Sequence, residues 1–246
     1  MARHSHWAQI KLKKGATDKK RGKIFTKHAH LIETAVRKAG GDPGMNASLR
    51  LAIDNARADN MPRENIDRAI KKGLGTAKGA EQMQEVTYEG FAPGGVALLI
   101  ETLTDNKNRT NQAVRNVMQK NGGNMGAMGS TSFLFDVKGM INVKAKGNRD
   151  DDEMEIIDAG AQDLQEIDGG FLIYTAPNEL GAVRKKLEGG GFKIESAELT
   201  KIPKNLVDVN DPAIAKKILN LMELLEEEDD VLSVAANFDI PEGLLE

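Results

Sequence analysis

The chain has 246 residues, 40% of them apolar and 29% charged, a composition ordinary for a soluble globular protein, and its length suggests one to three domains. Cysteine is absent, which excludes disulfide staples, thiolate nucleophiles and cysteine-based zinc sites. The net charge of -3 conceals a division: residues 1–72 carry 17 Lys or Arg against 7 Asp or Glu, and the remainder carries 17 against 30. One end is built to meet negative charge.

No apolar run is long enough to span a bilayer, and no signal-type apolar segment stands near the start. The basic opening runs into a helical pattern instead of preceding the folded part as a transit peptide would. A cytoplasmic protein is expected.

In chain order, the apolar positions of Lys20 to Ala39 recur at helical spacing until Gly40-Gly41 stops them. A second helix is predicted from Ala47 to Ala58 with Asn46 as cap and Leu49, Ile53 and Ala56 inward. A third starts at Pro62, buries Ile66, Ala69 and Ile70, and ends before Gly73. Three short amphipathic helices predict a small bundle, and "GLGTAKGAEQ" reads as a linker.

The pattern then changes to strands alternating with helices. "VTYEGF" and "GVALLIETL" are predicted strands, "RTNQAVRNVMQK" a helix ended by Gly122-Gly123, and "TSFLF" a further strand. A strand (Met140 to Ala145), helix (Asp151 to Ala161), two strands (Leu164 to Ile167, Phe171 to Thr175), helix (Asn178 to Leu187) and strand (Phe192 to Leu199) follow the split βαβ, ferredoxin-like order. A last helix from Pro212 to about Glu227 and the strand "VLSVAANF" complete a second unit of that order with the elements before residue 138. The fold class is therefore multidomain α and α+β. The expected domains are 1–79 (basic, helical, nucleic-acid-binding), 80–137 plus 200–246 (discontinuous α+β) and 138–199 (inserted, ferredoxin-like).

The opening "MARHSHWAQIKLKKGATDKKRGKIFTKHAH" holds nine Lys or Arg, one acid and all four histidines. His28 and His30 lie two apart on a helix and point about 200° apart, so they cannot share a metal ion. His28 falls on the apolar face as a core or interface residue. His4 and His6 lack nearby acids to complete a ligand set, and no metal is expected. The cations repel one another unless solvated or neutralised by an anion, and a phosphate backbone supplies closely spaced negative charge. Trp7, Lys11, Lys13, Lys14, Lys19, Lys20, Arg21, Lys23 and Lys27 are the candidate nucleic-acid-binding residues, with Trp7 free to stack on a base. The second and third helices, joined by the turn "DNM", also suggest a helix-turn-helix with Arg68, Lys71 and Lys72 outward, although few side chains there suit base edges.

The turn "TDNKNRT" stands between a strand and a helix. Its first-turn amides, with Arg109, Asn106, Asn108 and Thr110, make a secondary phosphate or partner candidate; the alternative is an ordinary cap with Asn108 as the capping residue. "GLGTAKG" and "GGNMGAMG" lack the context of nucleotide-binding loops and read as flexible connections. No Gly-x-Ser-x-Gly, no His-Glu-x-x-His and no histidine after residue 30 is present, and the acids of 150–155 and 226–230 read as solvated runs. The expectation is a chain without catalytic residues or cofactors.

Over nearly its whole length the chain resembles the YebC/PmpR family, whose mitochondrial relatives are translational activators of cytochrome c oxidase subunit I. "HSHWAQIK", "KRGKIFTK", "NMPRENIDRAI", "YEGFAPGG", "LTDNKNRT" and "GGNMG" follow in the family's order and spacing. Departures are His6 for the family's Lys, Leu12-Lys13 for His-Arg, and "SVAANF" for a Tyr-His-Asn strand. The resemblance implies a helical N-terminal domain and two ferredoxin-like domains, one inserted in the other. It also implies a regulator of gene expression, either a ribosome-associated translation factor contacting rRNA and tRNA and easing passage through stretches such as polyproline, or a transcriptional regulator binding DNA. A flexible basic arm favours the irregular RNA surface, and no dimer-forming heptad is present to read a two-fold operator, so a monomer is expected. A protein adaptor using the acidic C-terminal half is a third reading. No membrane partner is expected.

Overall fold

A computed structural model describes residues 18–76 and 83–244, the side chains of 18–21 and 242 excepted. The N-terminal part is three helices, α1 (Asp18–Ala39), α2 (Ala47–Ala58) and α3 (Arg63–Gly73). Their apolar stripes meet in one core of Ile32, Val36, Leu49, Ile53, Ala56, Ile66 and Ala69. Asn46 caps α2 as its spacing predicts, and it does more. Its Oδ1 accepts the Leu49 amide at 3.0 Å, while its Nδ2 donates to the Ala35 and Gly40 carbonyls at 2.7 and 2.8 Å, closing the end of α1. Pro62 is the N-cap residue of α3, so that helix begins one residue later than expected. Asn60 turns the chain at φ 60°, a conformation asparagine tolerates. At the α1–α3 crossing, a Cβ on Gly73 would lie 2.7 Å from the Val36 Cβ, so glycine sets the approach.

Asn46→Ala is expected to lower stability by roughly 2–4 kcal/mol, since it removes a cap and leaves two carbonyls without their donor. Asn46→Ser should recover the cap alone, about 1 kcal/mol. Chemical denaturation of both variants checks this.

The rest of the chain builds two antiparallel four-stranded sheets. The first takes β1 (Gln84–Phe91), β2 (Ala97–Thr104), β3 (Asn124–Met125) and, after a long excursion, β9 (Val231–Ala236), in the spatial order β3-β1-β2-β9. The second takes β4 (Phe135–Lys144), β5 (Asp163–Ile167), β6 (Gly170–Thr175) and β7 (Ile194–Pro203), in the order β5-β6-β4-β7. A short parallel pair, β8 (Val207–Asp208) with β10 (Phe238–Asp239), forms a separate two-stranded sheet that packs Val207 and Phe238 into the core of the first. Helices α4 (Lys107–Lys120) and α7 (Pro212–Glu226) cover one face of the first sheet, where Leu98, Ile100, Val114, Met118, Ile218 and Leu221 interlock. Helices α5 (Arg149–Ala159) and α6 (Leu180–Gly189) cover one face of the second over Ile141, Phe171, Ile173 and Val183.

The second sheet has the ferredoxin-like chain order. The first sheet reaches the same spatial plan by another route, because β1 precedes β2 instead of following β3. The strand predicted at "TSFLF" is replaced by a 3-10 turn, Ser132–Leu134, and the following strand starts early, at Phe135. The amides of Thr131 and Ser132 are held by the Glu89 carboxylate and cannot join a ladder. The strand expected over Phe192 to Leu199 runs instead from Ile194 to Pro203, drawn out by pairing of Lys201, Ile202 and Pro203 with the start of β4.

The helical part is fastened to both sheets. Asn55 of α2 donates to the Ala197 carbonyl at 2.6 Å and accepts its amide at 3.3 Å, standing in for a strand on the edge of β7. Asp54 pairs with Arg184 of α6 at 3.1 Å. At the end of α1, Arg37 donates to the Met83 carbonyl and Lys38 pairs with Glu85 at 2.7 Å.

Candidate nucleic-acid interface

Helix α1 opens at Asp18, and Lys19, Lys20 and Arg21 occupy its first turn. The amides of that turn have no intrahelical acceptor and the macrodipole is positive there, so cations at these positions oppose the helix they sit in. A helix start of this kind favours an anion near its free amides. Trp7, Lys11, Lys13 and Lys14, like His4 and His6, lie outside the described residues.

Further along, α1 turns its cations toward the protein. Lys23 Nζ donates to the Glu227 carbonyl at 2.7 Å, at the C-terminal end of α7 where carbonyls lack helical partners. Lys27 is half-buried. Two of the nine candidates therefore face the fold at least in part. His28 is buried, and its Nε2 lies 2.6 Å from Asp59 Oδ2, tying α1 to the α2–α3 turn as a core histidine. His30 is half-buried; burial pushes its imidazole below the ordinary range, with Glu33 opposing. Among the described residues, no group of three or more His, Asp or Glu is arranged to hold a metal ion.

On α3 the outward cations alternate with acids. Arg63 pairs with Asp67 at 3.8 Å, Glu64 is exposed, and Lys72 reaches back to the buried Glu33 at 3.7 Å. Arg68 and Lys71 are exposed. Carboxylates on this face repel phosphate, and α2 is engaged with β7 and α6. A helix-turn-helix docking of this pair into a major groove fits poorly.

The "TDNKNRT" turn is closed on itself. Asn106, not Asn108, caps α4, its side chain accepting the Arg109 amide at 3.1 Å while its own amide donates to the Thr104 hydroxyl. Arg109 pairs with Asp105 at 2.7 Å and Asp230 at 2.9 Å, and these carboxylates hold its guanidinium pKa above the ordinary value, Asp230 foremost. The Thr110 hydroxyl donates to Asp230 at 2.5 Å. Asn108 is exposed at the helix start. Arg109 and Thr110 are thus engaged by the protein's own carboxylates, in an internal clasp joining β2, α4 and the start of β9.

The acidic runs are likewise not wholly solvated. Asp230 is the centre of this clasp, and Asp152 is buried with its carboxylate accepting the Lys146 amide at 2.7 Å. At Glu228, burial foremost and Asp229 beside it push the carboxyl pKa up.

The feature that sequence reasoning missed is the loop after β3. Glu89, buried at 5% exposure in β1, accepts the amides of Gly129, Thr131 and Ser132 at 2.7, 2.6 and 2.8 Å, and the Thr131 hydroxyl at 3.2 Å. The Gly126 amide donates to the Glu89 carbonyl at 2.8 Å. A "GGNMGAMG" segment read as flexible is thus pinned at several points. The available signal was its charge: residues 121–135 carry none.

A basic helical bundle joined to two α+β units, without an assembled metal cluster among the described residues, defines the class: a multidomain protein with a strongly cationic N-terminal part. The TACO1/YebC N-terminal domain matches residues 5–76, and the TACO1/YebC second and third domain matches residues 83–238. The chain belongs to the TACO1/YebC family. It is 47% identical over 249 residues to a probable transcriptional regulatory protein of Halothermothrix orenii, covering 100% of this chain and 98% of that one. It is 49% identical over 247 residues to a protein of the same description from Aquifex aeolicus, covering 100% and 99%. The crystal structure of a conserved hypothetical protein from Aquifex aeolicus superposes with a TM-score of 0.90 at 49% identity, covering 97% of this chain and 98% of that one. No helix among the described residues is long and apolar enough to cross a membrane.

Proposed function

We propose that this chain is a non-enzymatic, cytoplasmic, ribosome-associated translation factor that grips rRNA and tRNA phosphates with its basic N-terminal arm and the opening of α1. The observation that carries the reading is the placement of Lys19, Lys20 and Arg21 in the first turn of α1, against the helix dipole. The arm adds Lys11, Lys13 and Lys14 for phosphates and Trp7 for stacking. Lys23 and Lys27 contribute less, being turned toward the fold. The acidic units orient the molecule by repulsion from the same polyanion.

A DNA-binding regulator is the second reading, favoured by the description shared by the Halothermothrix and Aquifex relatives. The acids exposed on α3 weigh against base readout by that helix. In-cell ultraviolet crosslinking of the full chain, with the bound rRNA, tRNA and DNA sorted by sequencing, decides between the two. Recovery concentrated in rRNA and tRNA is the expected result. Recovery confined to DNA would transfer the function to transcription.

A further inference from the structure

The loop between β3 and β4 is rigidly built yet displays apolar side chains to water. Met128 is 95% exposed and Phe133 is 62% exposed. Its backbone is anchored on the buried Glu89, and the strands it springs from are closely packed: a Cβ on Gly90 of β1 would lie 2.5 Å from the Asn124 carbonyl oxygen of β3, and one on Gly123, just before β3, would lie 2.9 Å from that of Phe91. Within the loop, a Cβ on Gly126 would collide with the Ser130 hydroxyl. A fold that buries a carboxylate to hold two apolar side chains in solvent has organised a contact surface.

The charge around the loop narrows the partner. Beyond residue 72 the chain carries 30 acids, yet none falls between Asn121 and Phe135. Glu89 is enclosed by the loop's own amides, and Asp136, the next charge along, faces Lys204 at 3.4 Å. The loop itself therefore carries no charge that repels phosphate. The aromatic ring and the thioether supply stacking and dispersion, which nucleobases accept whatever their sequence. Two side chains are too few for the core of a protein–protein interface, where each partner commonly buries about 800 Å².

Resting on the RNA reading above, we infer that Met128 and Phe133 form a second RNA contact, an uncharged finger against which unpaired bases stack. It stands at the far end of β1 from α1. Glu85 meets Lys38 of α1 at one end and Phe91 pairs with Asn124 at the other, a separation of about 20 Å along the strand. The arm grips the phosphate backbone, and the finger engages bases that are not in a duplex.

The test compares the full-length chain with the Met128→Ser/Phe133→Ala double variant, using a fluorescent oligoadenylate strand alone and annealed to oligouridylate. Both residues are exposed, so an unchanged melting temperature is expected. The variant should bind the single strand about tenfold or more weakly, with duplex affinity and salt dependence unaltered. Equal affinity of the two proteins for the single strand overturns the inference, as does an equal loss on the duplex. A variant that keeps its RNA affinity but no longer cosediments with ribosomes assigns the finger to a protein partner, which also overturns it. Wild-type protein that binds neither RNA brings down the translation reading itself, an outcome distinct from failure of the finger alone.

Discussion

Glu89→Ala is expected to lower the stability of the protein by roughly 2–4 kcal/mol, because three amides lose a charged acceptor and that of the buried Thr131 is left without water to replace it. Burial by itself would raise the Glu89 pKa, but the amides of Thr131, Gly129 and Ser132 and the Thr131 hydroxyl outweigh it and hold the carboxyl at about 2, below the ordinary 4.5. The carboxylate is therefore more acidic folded than unfolded. Its contribution is complete above about pH 4.5 and is lost as the pH falls through about 2, a change of roughly 3 kcal/mol. Glu89→Gln keeps an acceptor without the charge and should lack this acid-dependent component. Urea denaturation at pH 7 and pH 3 checks both points. Equal loss of stability on acidification in wild type and Glu89→Gln would show that other carboxylates govern acid unfolding. The same substitutions should release the loop that carries Met128 and Phe133, so faster amide exchange at Gly129 to Ser132 is expected even where the rest of the fold survives.

The elements legible in the sequence are those specified within a few residues of themselves. The bounds of α2 follow from Asn46 and a clean apolar stripe. Those of α7 follow from Asp211, whose side chain accepts the Ala213 amide, and from Pro212 in the first turn. What escaped the sequence depends on partners far along the chain. Residues 131–135 have the apolar content of a strand, but an acceptor 42 residues away claims the Thr131 amide. Asn106 and Asn108 are equally good caps by type; the Thr104 hydroxyl, which accepts the Asn106 amide, selects the first. Asp152 and Asp230 sit in runs of acids that pattern alone cannot divide, and each is singled out by one specific donor set. The arm candidates were legible as charge and only partly as geometry. Lys23 has the same composition signal as Lys20, but only the fold reveals that its ammonium meets the end of α7.

Exchanging Lys13, Lys14, Lys20 and Arg21 together for Glu should abolish low-salt cosedimentation with ribosomes, with affinity for single-stranded RNA falling at least about a hundredfold. The physical signature is in the salt dependence. Each lost phosphate contact removes about 0.7 from the slope of log affinity against log salt on a single strand, so four removed contacts flatten it by about 3. Stability should move the other way. Lys20 and Arg21 lie in the first turn of α1, where an acid favours the helix dipole by about 0.3–1 kcal/mol per site. A variant that melts at the same or a slightly higher temperature while losing RNA identifies these cations as kept for binding at the expense of the helix. Undiminished association, or an unchanged slope, would remove the arm from the interface, and a parallel loss of folding would mean that the cations hold the protein's own carboxylates.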